Sequence, residues 1–158
     1  MKSLLVAIDR GLQWLLFALM IAMVSSVVWQ VVSRYLLASA SSWTEEVARF
    51  LLIWIGMLGA AYAFRTRMHI GLDLLPKRLS GREARRLRLL TQTVILLFAI
   101  AVLVIGGGRL VYLTWDLRQY SAVLGLPMAV VYSVIPLTGI LIVLFELDAP
   151  PTDHGDAD

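Results

Sequence analysis

Four stretches of this sequence contain no Asp, Glu, Lys or Arg: Gly11 to Ser33, Phe50 to Phe64, Leu89 to Gly108 and Gln119 to Phe145, which are 23, 15, 20 and 27 residues long. A helix rises about 1.5 Å per residue and the hydrocarbon layer of a bilayer is roughly 30 Å thick, so about 20 apolar residues suffice to cross it. Three of the stretches qualify outright. The second reaches that length if Trp43 to Arg49 extend it as helix, with their charges held at the membrane surface. With 59% hydrophobic and only 16% charged residues in 158, an ordinary soluble enzyme is excluded. The expected fold is an all-α integral membrane protein with four transmembrane helices, near residues 11–33, 43–64, 87–112 and 125–145. They form one membrane domain, 1–148, followed by a disordered tail, 149–158.

Basic residues set the expected orientation. Lys2 and Arg10 precede the first span, Arg34 and Arg49 lie in the first connection, and eight fall between Arg65 and Arg88. Arg109 and Arg118 lie in the third connection and none in the tail. With four spans, one side collects ten Lys/Arg and the other four, which puts both termini and the second loop in the cytoplasm. A three-span chain would put the tail outside and set the basic loop opposite Lys2 and Arg10. The first span superficially resembles a signal peptide, with Ala38-Ser39-Ala40 mimicking a cleavage site. Its 23 residues exceed the usual h-region of about 7–15 and Arg34 intervenes, so a retained span is expected.

Local signals mark helix ends. Ser42-Trp43-Thr44-Glu45 and Ser80-Gly81-Arg82-Glu83 both have capping-box spacing, which starts the second helix near Trp43 and makes Arg82 to Arg88 a helical lead into the third span. Gly125-Leu126-Pro127 opens the last span with Pro127 in its first turn, and Pro136 should kink it. Gly106-Gly107-Gly108 marks a flexible or tightly packed end of the third span.

Chemistry is sparse. There is no Cys, and the two His residues are isolated, His154 in the tail and His69 in the second loop, so no metal or cofactor is expected in this chain. The Ser and Thr within spans lack a His or Lys at triad spacing, which argues against an enzyme. Asp9, Glu45, Glu46, Asp116 and Glu146 all fall at span edges, whereas ion-coupled transport by the chain alone would call for carboxylates or broken helices near the midplane. The residues therefore describe an accessory membrane subunit with no nucleic-acid role. Its partners are lipid and other membrane proteins.

Interaction surface is what the spans do carry. Ala18, Ala22 and Ser26 recur every four residues, and Gly56, Gly59, Ala60 and Ala63 line the second helix, where small side chains let backbones approach closely. These stripes pack either the four helices together or a partner against them. Trp14, Trp29, Tyr35, Trp43, Tyr112 and Trp115 fall near span ends as interfacial anchors, while Trp54 sits well inside, facing lipid or a partner. Glu45, Glu46 and Arg49 form a compact charged group. It is either a local ion pair or a dock for a basic group of a partner, with Arg34 across the loop.

Several pieces in order resemble the small membrane subunit, the DctQ-like component, of tripartite ATP-independent periplasmic (TRAP) transporters. They are Trp29-Gln30-Val31-Val32-Ser33-Arg34-Tyr35, Trp43-Thr44-Glu45-Glu46-Val47-Ala48-Arg49, Gly59-Ala60-Ala61-Tyr62-Ala63-Phe64-Arg65, His69-Ile70-Gly71-Leu72-Asp73, Ser121-Ala122-Val123-Leu124-Gly125-Leu126-Pro127 and Tyr132-Ser133-Val134-Ile135-Pro136-Leu137. No single piece is diagnostic; their order and spacing carry the resemblance, which covers most of the chain. It implies a multi-pass subunit of the bacterial inner membrane that pairs with a large multispan permease subunit and works with a periplasmic substrate-binding protein. Together they import an organic anion on an ion gradient, with substrate and sodium sites in the large subunit. On this reading Arg34, Trp43, Glu45, Glu46, Arg49, Trp54, Gly56, Gly59, Ala63, Gly125, Pro127, Tyr132 and Pro136 are interface candidates. His69 and Asp73 would lie at the cytoplasmic boundary. The alternative is a small self-assembling structural or accessory protein of an unrelated complex.

Overall fold

The computed structural model describes residues 2–36, 41–74 and 81–148. The Ala38-Ser39-Ala40 segment, Ser80 of the second capping motif and the tail 149–158 lie outside the described residues. Helix α1 spans Lys2–Leu36 and α2 Ser42–Leu74. Helix α3 (Gly81–Phe98) runs into π-helical turns at Ala99–Gly106 and on into α4 (Gly107–Asp116), and α5 (Met128–Tyr132) and α6 (Val134–Asp148) complete the chain. Four segments are long and apolar enough to cross a membrane: Val6–Leu36, Ser42–Thr66, Leu89–Asp116 and Met128–Leu147. They correspond one to one with the four expected spans.

The helices run past the apolar runs that announced them. Helix α2 continues to Leu74, so the backbone of His69 and Asp73 is helical rather than part of a loop; their side chains lie outside the description. The reason is the sequence itself: from Arg65 to Leu74 there is no proline to stop a helix. The last span differs in the other direction. Gly125 and Leu126 are loop, Pro127 is the extended cap residue (ψ 123°), and the helix opens only at Met128. The first capping motif is not used as one either, because Ser42 is already helical and Glu45 bonds Arg49.

Helices α1 and α2 meet along a seam with coiled-coil spacing. The inward residues of α1 are Leu12, Leu16, Leu19, Met23, Ser26, Gln30 and Ser33, alternating steps of four and three. Ala18 and Ala22 lie on the exposed side. Of that expected stripe only Ser26 turns inward, and its hydroxyl donates to the Thr44 carbonyl at 3.1 Å, tying α1 to the first turn of α2. Helix α2 lies between α1 and α6, and α6 lies between α2 and the π-helical stretch, so the spans stand in the lateral order one, two, four, three. Leu12, Leu58, Val134 and Phe145 form the buried cluster, and Trp54 packs against it rather than standing free in lipid.

Two glycines set how closely the third and fourth spans approach. A Cβ on Gly139 would lie 2.7 Å from Leu103 Cβ and 2.9 Å from Val104 Cγ2, both in the π-helical stretch. One on Gly107 would meet Ile135 Cγ2 at 2.7 Å and Pro136 Cδ at 3.0 Å. Of the glycine triplet, Gly107 alone bears out tight packing, Gly108 has open space, and the helix continues to Asp116, so the triplet does not end the span. Pro136 has the expected effect: with no N–H to offer Tyr132, the helix is interrupted at Ser133 between α5 and α6. Gly56 and Gly59, by contrast, have nothing within 4 Å of an added Cβ.

These contacts predict opposite outcomes for chemically identical changes in the isolated chain. Gly139→Ala should lower stability by about 1–3 kcal/mol through overpacking. Gly59→Ala, in open space on a helix, should be neutral or stabilising by up to about 1 kcal/mol. Thermal unfolding of the detergent-purified chain compares the two; the reverse order would refute this packing.

Candidate functional site

Among the described residues the most highly connected polar group is Glu46, in the second turn of α2. Its carboxylate reaches the α4–α5 connection and accepts three consecutive backbone N–H groups, Ala122 at 3.1 Å, Val123 at 3.1 Å and Leu124 at 2.7 Å. Consecutive amides converging on one anion form a nest, and hydrogen bonds to a charged acceptor are stronger than neutral ones. The connection is closed on itself as well. Ser121 N–H donates to the Leu126 carbonyl at 2.9 Å, Leu126 N–H returns to Ser121 Oγ at 3.1 Å, and Tyr120 pairs with Pro127 across a single antiparallel bridge. Gly125 makes the reversal with φ +63°, a conformation that favours glycine. The segment Ser121 to Pro127 is therefore a folded loop clamped onto the start of α2.

The Glu45/Glu46/Arg49 group consequently divides. Glu45 and Arg49 form an exposed ion pair at 3.0 Å, one turn apart on α2. Glu46 does not join Arg49, because the loop amides take both of its oxygens. Arg34 and Trp43 are exposed at the same end of the α1–α2 pair. The open face of α2 continues from Glu45 and Arg49 through Leu52, Gly56 and Ala60, with Gly59 and Ala63 half-buried at its margin. Gly125 is exposed, while Pro127, Tyr132 and Pro136 are half-buried.

The opposite end of the bundle carries a second polar group. Asp9 of α1 pairs with Arg65 of α2 at 3.2 Å, both about three-quarters buried, and the Arg65 guanidinium lies 4.8 Å over the Phe145 ring of α6. Gln13 donates to the Tyr62 hydroxyl at 3.1 Å, and Glu146 is buried beside Gln92 of α3. One end is thus fastened by a carboxylate on backbone amides and the other by a guanidinium shared among three helices. Sequence reasoning missed the partners of Glu46, which lie 76 to 78 residues away and are backbone groups without a residue signature. It also missed Asp9–Arg65, for which the only cue was an acid and a base at matching span ends.

Nothing among the described residues brings a nucleophile, a base and an acid together. What it offers is a braced set of helices with long apolar faces. Residues 23–149 match the family model of the DctQ component of tripartite ATP-independent periplasmic transporters. Among curated relatives, a TRAP transporter small permease protein of Haemophilus influenzae is 29% identical over 90% of this chain and 86% of its own. The sialic acid TRAP transporter small permease protein SiaQ of Vibrio cholerae is 30% identical over 82% of this chain and 73% of its own. The isethionate TRAP transporter permease protein DctMQ of Oleidesulfovibrio alaskensis is 31% identical over 78% of this chain but only 20% of its own length. The chain belongs to the DctQ family, the small permease subunits of TRAP transporters.

Proposed function

We propose that this small permease subunit acts as a rigid brace, embedded in the bacterial inner membrane with both termini in the cytoplasm. It stands beside a large multispan permease subunit that carries the substrate and sodium sites, and the assembly takes up an organic anion delivered by a periplasmic substrate-binding protein. The lateral order of the spans carries this reading: helices standing side by side leave long apolar faces uncovered, a shape suited to lying against a larger membrane partner. The DctMQ relative, in which the matched region is one fifth of a longer permease chain, supports the pairing. The ten-to-four distribution of Lys and Arg supports the orientation. The open Gly56–Gly59–Ala60 face of α2 suits close approach of a partner helix. The relatives' names mention sialic acid and isethionate, both anions, which supports the substrate class.

Two measurements test it. Tagged chain purified from its native membrane should bring down a large multispan permease in near-equal amount; recovery of the chain alone would favour self-assembly instead. In an uptake assay on intact cells, Glu46→Gln should slow transport severalfold at normal abundance, since weakening the clamp costs about 1–2 kcal/mol of loop order. Glu45→Gln should stay near wild type, because an exposed ion pair contributes only a few tenths of a kcal/mol. Equal effects of the two would refute the clamp's role.

A further inference from the structure

The end of α4 holds a backbone conformation that its sequence does not favour. Arg118 has φ +48°, the left-handed region, and it is the only non-glycine among the described residues with positive φ. Its N–H bonds the Trp115 carbonyl at 3.0 Å and the Gln119 N–H bonds the Thr114 carbonyl at 3.0 Å. That is the Schellman arrangement, in which the position Arg118 occupies is ordinarily glycine. A strained residue retained where glycine would serve points to a use for its side chain. Arg118 lines a cavity of about 270 Å³ together with Thr114, Trp115, Gln119, Tyr120 and Pro127. Trp115 and Tyr120 are 66% and 60% exposed, and the two ion pairs among the described residues, Arg49–Glu45 and Arg65–Asp9, leave the Arg118 guanidinium out. The walls are fixed by the Tyr120–Pro127 bridge and by the Met128 N–H bond to the Gln119 carbonyl at 2.9 Å.

Depth identifies the occupant. Arg118 follows the end of α4 at Asp116, beyond the uncharged run that stops at Gly108, and the exposed Trp115 and Tyr120 beside it are the residue types that collect at headgroup level. We propose that this cavity seats the phosphodiester headgroup of a membrane phospholipid. The Arg118 guanidinium forms a charge-assisted pair with the phosphate, and Trp115 and Tyr120 flank the glycerol as interfacial aromatics do. An acidic side chain of a soluble protein would suit the same guanidinium, but the pocket's place at the end of an apolar span favours lipid. Phospholipid headgroups line both faces of the membrane, so the occupant is the same whichever face this end occupies.

The test uses the transporter complex purified in a neutral detergent, with Arg118→Gly as the informative variant, because glycine relieves the left-handed strain while deleting the ligand. Dihexanoyl-phosphatidylglycerol, titrated below its micelle concentration, should raise the unfolding temperature of wild type. In Arg118→Gly, which should unfold at the same or a higher temperature without lipid, the half-saturating concentration should rise about tenfold or more. Inorganic phosphate over the same range should leave both unchanged. The proposal is overturned if the lipid leaves wild type unchanged or acts equally on the variant, if phosphate reproduces the shift and so marks a free-anion site, or if Arg118→Gly is the less stable protein. It is likewise overturned if the residue instead governs capture of an acidic soluble protein.

Discussion

Backbone amides inside hydrocarbon have no water to turn to, so each must be bonded within its own helix, and the architecture follows from that requirement. The third span shows how far the rule bends. Its middle widens into π-helical turns at Ala99–Gly106 yet remains one continuous helix from Gly81 to Asp116. The fourth span is interrupted at Ser133, yet regular helical bonds survive on both sides, Ser133 N–H to the Ala129 carbonyl at 3.0 Å and Leu137 N–H to the Ser133 carbonyl at 3.3 Å, and the Ser133 hydroxyl donates to the Val130 carbonyl at 2.7 Å. Each irregularity lies against a glycine of the other span. Gly107 sits against Ile135 and Pro136, and Gly139 against Leu103 and Val104, so each helix departs from regularity where the other presses closest.

Lipid tails are as apolar as leucine, so burying apolar surface does not by itself hold membrane helices together. Close packing and polar ties do that work here, and the ties are concentrated at the two ends. Ser26 bonds the Thr44 carbonyl and Glu46 holds the loop amides at one end; Asp9, Arg65 and Phe145 meet at the other. Between them lies the seam of α1, whose outward side chains, Trp14, Phe17, Ile21, Val24 and Val28, remain exposed to whatever surrounds the protein.

The four spans were legible because charge is nearly prohibited within hydrocarbon, so the uncharged runs mark the layer directly. The helix ends were less legible for the same reason: charge reports where hydrocarbon stops, not where hydrogen bonding stops, and α2 continues past Arg65, which closes the uncharged run, to Leu74. Small-residue spacing was a poor guide to internal packing. Ala18, Ala22, Gly56 and Gly59 looked like contact points and face outward or stand open, while Gly139, flanked by Thr138 and Ile140 with no partner glycine at helical spacing, makes one of the two closest approaches. Close approach depends on what the facing helix presents, and a single sequence does not contain that pairing. The Glu46 clamp was hidden more deeply, since its acceptor is one residue among several acids and its donors are main chain.

The two ends also differ in what they can transmit. Arg65 touches α1 and α6 through flexible side chains, so small sliding of those helices can be absorbed without breaking the contact. Glu46 instead grips the main chain of a loop whose own bonds leave it little freedom, so any shift of the α2 start carries Ser121 to Pro127 with it. Because α5 follows Pro127 directly, the loop that Glu46 holds also fixes where the fourth span begins, and the tie at the start of α2 therefore positions two spans at once.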